Sequence, residues 1–483
     1  MPTSPVLSAD TALLKRPRVH AAPRLRHSPR QTDANRVLFW VLAVFVVLAP
    51  LPLGSSRAYF WAVAAVYVGL ATLVYMVVLA RMGEAFRLPM RGLVPYGLAF
   101  TLFCLALLAQ LLPLGKLFGP FAIVSNYGLT LASDHISVSP SMTLLMLMRQ
   151  VSYGLFFFLT LQVVANDGRR MKLMDVLLCA IVVYAAYAMI SLRTGDTILG
   201  MEKWAYQGYA TGPFVNRNSF ATFLAMGAVL AATQLTGLLV DNSHQHVDDG
   251  WIRGHASGVL LYLLAFVFIG LVILATQSRM GLFAAAAGSA AGAVLMLSRA
   301  KGVARLIAWI AGPLLALVIL TILYFGDTLL DRLGTVEQAS IVRGDFYLQI
   351  LELIRLRPWT GFGGGSFEHA FPLVHQLPVN SDATWDRGHN TYLTLWSELG
   401  IVAGSIPILI ILGLTATIAL KFWRSTGRSH LVPQVCALGA TIAVAIHSTV
   451  DFSLEIPANT FMFLAILAAG VAASVLAQGR KRT

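Results

Sequence analysis

Stretches of about twenty mostly apolar residues recur from residue 36 to residue 477, and about twenty is the length an α-helix needs to cross the hydrocarbon core of a bilayer. The stretch from Val259 to Thr276, for example, contains no charged residue. Lipid offers no partner to backbone N–H and C=O groups, so such stretches must satisfy their own hydrogen bonds as helices. With 57% hydrophobic and 12% charged residues and a mean hydropathy of +0.73, the chain reads as an all-α polytopic membrane protein. About twelve transmembrane helices are expected, near 36–53, 58–80, 92–113, 143–165, 173–192, 214–239, 256–276, 279–298, 303–325, 390–420, 431–451 and 457–477.

Lys and Arg set the orientation. Residues 1–35 carry Lys15, Arg16, Arg18, Arg24, Arg26 and Arg30, and every second connection after them is basic. These connections hold Arg81, Arg87 and Arg91; Arg169, Arg170 and Lys172; Arg253; Arg299, Lys301 and Arg305; Lys421, Arg424 and Arg428; and finally Arg480, Lys481 and Arg482. By the positive-inside rule they and both termini are cytoplasmic. The net charge of +13 is then a topology signal, and no nucleic acid partner is needed to explain it. Residues 1–35 read as a disordered basic arm that touches anionic membrane lipid, with too long a basic region and no small-residue cleavage site for a signal peptide. Cys104, Cys179 and Cys436 are spaced as packing residues rather than metal ligands.

The expected organisation is the arm 1–35, helices one to nine over 36–325, a large outer loop over 326–388, helices ten to twelve over 389–477, and a tail over 478–483. No duplicated halves are visible, which argues against a repeat-built transporter. Within the loop, Val342, Phe346, Ile350, Leu353 and Ile354 recur at near-helical spacing opposite Asp345, Gln349 and Glu352. This predicts an amphipathic helix over 341–357 that lies on the outer leaflet or caps the bundle, ended by Pro358. The turn Gly361-Phe362-Gly363-Gly364-Gly365 follows. Without a βαβ context it is no dinucleotide fingerprint, and it reads as a tight turn.

Three polar clusters open apolar stretches on the face opposite the basic connections: Asn216-Arg217-Asn218, Gln277-Ser278-Arg279 and Arg387-Gly388-His389-Asn390. The sixth, eighth and tenth spans run inward, so their N-termini, with unpaired N–H groups and a partial positive charge, face outward together. A single boundary arginine reads as a snorkelling side chain. Three clusters on one face read as an anion site, and guanidinium forks match the oxygens of a diphosphate. Arg217 and Arg279 are the expected diphosphate contacts, Arg343 a weaker one, and Asn218 and Asn390 orient sugar or phosphate oxygens. Arg149, Gln150 and Glu398 lie inside spans, and His447 and Asp451 are expected one helical turn apart in the eleventh. For Arg149 and Glu398 an ion pair and a catalytic role stay open, while His447 reads as a packing residue.

These segments resemble a known family. Gly212 to Ala221, Ser278-Arg279-Met280-Gly281, Arg343 through Pro358 to Gly361-Phe362-Gly363, and His389-Asn390-Thr391-Tyr392-Leu393 with Glu398-Leu399-Gly400 are similar, in order and spacing, to the O-antigen ligase and polymerase superfamily. The resemblance covers residues 210–460. It implies a glycosyltransferase of the bacterial inner membrane with a periplasmic active site, taking a glycan from undecaprenyl diphosphate and, for a ligase, passing it to a sugar of the lipid A core in lipopolysaccharide biosynthesis. An O-antigen or exopolysaccharide polymerase is the alternative. The length argues against the protein-glycosylating branch, which carries a large C-terminal soluble extension.

Such a transfer needs the leaving diphosphate stabilised and the acceptor hydroxyl deprotonated. No Asp-x-Asp motif is present, so no metal or other cofactor is expected and the arginines neutralise the leaving group. His389 is the expected general base, and direct attack inverts the anomeric centre. The segment from Gly326 to Gly388 has more acids than bases, so it offers an anionic lipid A core no basic surface. A lipid-linked glycan flippase is the opposing class; it needs charge along a path through the membrane, whereas these arginines stay at one face.

Overall fold

The computed structural model describes residues 29–124, 128, 130–242, 249–300, 337–380 and 384–477. Its long helices are α1 (Pro29–Leu48), α2 (Ala58–Met82), α3 (Val94–Leu111), α4 (Pro140–Val163), α5 (Asp167–Arg193), α6 (Arg217–Asn242), α7 (Asp249–Thr276), α8 (Arg279–Leu297), α9 (Glu337–Leu356), α10 (Thr391–Phe422), α11 (Arg428–His447) and α12 (Pro457–Leu476). Two small antiparallel ribbons, β1 (Phe121–Val124) with β2 (Thr130–Ser133) and β3 (Thr197–Ile198) with β4 (Met201–Glu202), sit in connections. Among the described residues, eleven helices are long and apolar enough to cross a membrane. All except α9 qualify. The expected ninth span, 303–325, lies outside the described residues, as do the arm 1–28 and the tail 478–483.

Burial sorts these helices into a centre and a periphery. The apolar window of α6 is 89% buried and those of α11 and α12 are 78% buried, whereas α3, α7 and α10 each bury only 17%. Leu260, Leu261 and Leu264 on α7, like Val63, Val66 and Leu70 on α2, face away from the protein, as lipid-facing side chains do. In lipid, helices associate by close packing rather than by burial of apolar surface. Small residues therefore line the central seams. A Cβ added at Gly288 of α8 meets the Gly439 carbonyl oxygen of α11 at 2.6 Å.

Hydrogen bonds between connections assign the two ends of the bundle. At one end Gln31 Nε2 donates to the Ala85 carbonyl (2.8 Å), Arg170 Nε to the Ser429 carbonyl (3.0 Å) and Arg299 Nη2 to the Ser425 carbonyl (3.0 Å). At the other, Ala210 N donates to Ala275 O (3.0 Å), Thr391 N to Ser448 O (3.0 Å) and Asn459 Nδ2 to Ser219 O (2.9 Å). Arg87, Arg169, Arg299 and Arg424 thus share the first end, as the alternation of basic connections requires, and the N-termini of α4, α6, α8, α10 and α12 gather at the second.

The predicted amphipathic helix is present as α9. Phe346, Ile350, Leu353 and Ile354 are buried, not against lipid but in a cluster with Phe362, Phe367, Phe371 and Val374, so α9 caps the bundle. The glycine turn is a seam. Helix α10 breaks at Gly400 (φ 76°), and the carbonyls freed by the break accept from the turn: Phe362 N donates to Ser397 O (3.1 Å) and Gly363 N to Glu398 O (2.8 Å). A Cβ at Gly361 would come within 2.3 Å of the Glu398 carbonyl oxygen, so backbone meets backbone where only glycine fits.

Candidate active site

The polar clusters sit where the local sequence ends one segment and caps the next. Asn216 Oδ1 accepts from the backbone N of Asn218 (2.7 Å) and, more weakly, of Ser219 (3.4 Å), opening α6. Ser278 Oγ accepts from Gly281 N (3.2 Å) and opens α8. Asn390 Oδ1 accepts from Tyr392 N (3.0 Å) and Leu393 N (3.1 Å) and opens α10. All three are N-cap arrangements that satisfy otherwise unpaired helix donors.

Arg217 starts α6 with its guanidinium 4.2 Å from the Tyr209 ring centroid and 5.7 Å from that of Tyr206. Its Nε is buried without a partner. Arg279 starts α8 and is exposed. A Cβ at Gly281 would lie 2.4 Å from that of Ala221, so the start of α8 packs against the start of α6 and both arginines lie at the same end of the bundle. Asn218 follows on the same turn, its carbonyl accepting from Thr222 Oγ1 (3.2 Å).

A cavity of about 300 Å³ opens beside these helix starts, lined among others by Tyr206, Asn216, Arg57, Arg387, His389 and Phe452. His389 has a left-handed backbone (φ 47°), uncommon for a residue with a side chain and costly unless the surroundings hold it. Tyr347 of α9 supplies part of that hold, its hydroxyl donating to the His389 carbonyl (2.9 Å). The ring of His389 packs edge-on to Phe452, centroids 4.9 Å apart, and to Trp385 at 5.9 Å. Burial pushes the imidazole down to about 4, assisted by Arg343 and Arg387 and opposed by Asp386. His389 is therefore neutral at ordinary pH, the form that can take a proton.

Arg343, exposed on α9, acts electrostatically on His389, Tyr347 and Tyr206, which puts it at this end of the bundle. Asn390 is placed differently from expectation. Besides capping α10 with its oxygen, it donates from Nδ2 to the Thr449 carbonyl (2.9 Å), so its side chain serves the backbone. Sequence reasoning missed Arg57, Tyr206 and the part played by Arg387. A short aromatic connection, Trp204 to Tyr209, just before the Asn216 cluster was the available signal.

Further polar residues form two buried groups. Asp451 lies beyond the end of α11 rather than one turn along it, and its carboxylate stands 3.9 Å from His447 Nδ1 while bonded to Ser453. Burial pushes Asp451 up to about 7. Arg149 pairs with the Glu455 carbonyl (3.2 Å) rather than with the Glu398 carboxylate, and its guanidinium lies 4.1 Å over Trp61. Glu398 Oε1 accepts from Phe367 N (3.2 Å).

Eleven apolar spans among the described residues, with a polar cavity among helix N-termini at one end, define an all-α, multi-pass membrane protein. Residues 264–408 match the family model described as O-Antigen ligase. The matched stretch runs from α7 into α10 and contains Arg279, Arg343 and His389. Arg217 and Glu455 lie outside it. No curated protein matches the chain.

Proposed function

We propose that the protein is a membrane glycosyltransferase that takes a glycan from undecaprenyl diphosphate and passes it to a sugar hydroxyl of the lipid A core. The observation that supports this reading is neutral His389 lining a cavity with Arg57, Arg387 and Asn216, at the end of the bundle where Arg217 and Arg279 start their helices and Arg343 acts electrostatically on His389. Fixed cations and helix dipoles favour a diphosphate leaving group, which is most negative when the bond to the sugar breaks.

The acceptor oxygen attacks the anomeric carbon as the carbon–oxygen bond to the diphosphate breaks. The bonding pair leaves with the diphosphate, and the hydroxyl proton passes to His389. Displacement in one step inverts the anomeric centre. General-base help of this kind contributes about 100- to 10,000-fold. Arg217 and Arg279 hold the diphosphate, Arg343 supports them, and Asn218 turns toward sugar or phosphate oxygens. Asn390 acts indirectly, by fixing the start of α10 beside His389. The reading needs no divalent ion, because the arginines supply the charge. It places the site on the periplasmic face of the inner membrane with both termini in the cytoplasm.

A deletion strain tests the reading. The expected phenotype is lipopolysaccharide carrying core alone, with finished polymer retained on the lipid carrier. Core capped by single repeat units would instead move the protein to the polymerase branch. An unchanged lipopolysaccharide with no glycan retained on the carrier would remove both.

A further inference from the structure

A second cavity, about 200 Å³ in volume, lies across Asp386 and Arg387 from the first, and these two residues line both. Its lining is mixed, polar and apolar. The polar residues include Arg149, Glu398 and Glu455; the apolar ones include Met146, Phe463 and Leu464. Arg149 is 5% exposed and its Nε has no hydrogen-bond partner. Glu455 bonds Arg387 Nη1 through Oε2 (3.3 Å), and the Thr394 hydroxyl, which also lines the cavity, bonds its carboxylate. Buried polar groups are almost always bonded, so an unpaired donor beside a carboxylate in one cavity points to a ligand that can both accept and donate.

A hydroxyl is such a group. Below the roughly 300–1,000 Å³ of pockets for drug-sized ligands, this cavity suits one sugar ring rather than an oligosaccharide. A pyranose also has a hydroxyl edge and an apolar C–H face, matching a lining of both kinds. Charge narrows the choice. The two arginines of the lining, Arg149 and Arg387, face the four carboxylates of Glu368, Asp386, Glu398 and Glu455, so no cation is left over for a phosphate.

The geometry points to a second sugar subsite, for a single uncharged or amine-bearing pyranose of the acceptor, separated from the diphosphate cavity by Asp386 and Arg387. Its assignment to the acceptor rests on the glycosyl-transfer reading. Arg387, which lines both cavities, is two residues from His389, which lines the first. The same charge balance agrees with the acidic loop 326–388: both disfavour recognition of a phosphorylated core sugar.

Saturation-transfer NMR on the full-length protein in nanodiscs, with glucose, glucosamine and glucose 6-phosphate as probes, tests the subsite directly. Glucose and glucosamine are expected to receive magnetisation, and glucose 6-phosphate to receive little. Leu464→Trp, at a partly exposed lining position, fills the cavity and abolishes both signals, while Arg217→Ala, at the start of α6 and outside the lining of this cavity, leaves them in place. Glu455→Gln keeps the shape and removes the charged acceptor, weakening glucose binding about tenfold, the usual effect of losing a charged hydrogen bond. If Leu464→Trp does not fold, Glu455→Gln decides. Undiminished glucose signals in the variant that folds, or glucose 6-phosphate binding as well as glucose, overturn the proposal. A protein that binds glucose as described but transfers no glycan keeps the subsite and loses the transfer reading.

Discussion

The guanidinium of Arg217 lies 4.2 Å from the centroid of the Tyr209 ring, with its Nε buried and unpaired. A planar cation held over an aromatic face is oriented as well as charged. Lysine supplies the charge without the plane or the fork. Arg217→Lys is therefore expected to insert and fold normally yet to lose transfer by about 100-fold, the scale of removing one preorganised donor from a developing anion. Near-normal transfer by Arg217→Lys, measured on purified protein, would mean that the arginine only anchors the helix.

The buried state of His389 sets a pH profile. Its imidazole is pushed down from 6.5 to about 4, so it remains neutral, and able to accept a proton, until pH falls to about 4. The rate step assigned to His389 should show no inflection near pH 6.5. The stability sign is the same: the unfolded chain gains a proton near 6.5 that the folded one refuses, so stability is lost as pH falls from about 6.5 towards 4. Single-turnover rates between pH 5 and 8 check this. An inflection near 6.5 that vanishes in His389→Gln contradicts the burial.

Sidedness is open to direct labelling. Glu202 lies in β4 at the end that holds the cavities, and Arg424 at the end that gathers the basic connections; both are exposed. In a background with the native cysteines replaced, Glu202→Cys should react with a membrane-impermeant maleimide on intact spheroplasts, and Arg424→Cys only after permeabilisation. The reverse pattern inverts the proposed orientation.

Gly400 tests the seam between α10 and the glycine turn. A Cβ there would sit 2.2 Å from the Trp359 carbonyl oxygen at a backbone φ of 76°. Gly400→Ala should destabilise the protein by about 1–3 kcal/mol and lower the yield of folded protein in thermal-shift measurements. Gly344→Ala, where nothing lies within 4 Å of the new Cβ, should be tolerated.

The eleven spans among the described residues were legible because hydropathy over twenty residues is a property of one segment, and α9 because its apolar spacing is local. The helix starts at Asn216, Ser278 and Asn390 were legible for the same reason. Other features depend on which distant segments meet. Nothing near Glu455 announces that its carboxylate meets Arg387, 68 residues earlier, or that Arg149 turns to the Glu455 backbone rather than to Glu398. Asp451 looked helical because the apolar pattern runs on past His447, where α11 stops. The glycine turn suggested close backbone approach, and only the break in α10 reveals that its partner is protein.

The central claim is transfer from a lipid diphosphate with His389 as the base. Purified protein in detergent, given undecaprenyl diphosphate-linked glycan, lipid A core and excess chelator, is the most direct test. The wild type should form glycan-capped core without added metal, and His389→Ala should bind donor normally while losing about 100- to 10,000-fold in turnover. Loss of wild-type activity on chelation, restored by magnesium or manganese, contradicts the metal-free account, and wild-type turnover by His389→Ala contradicts the role given to His389.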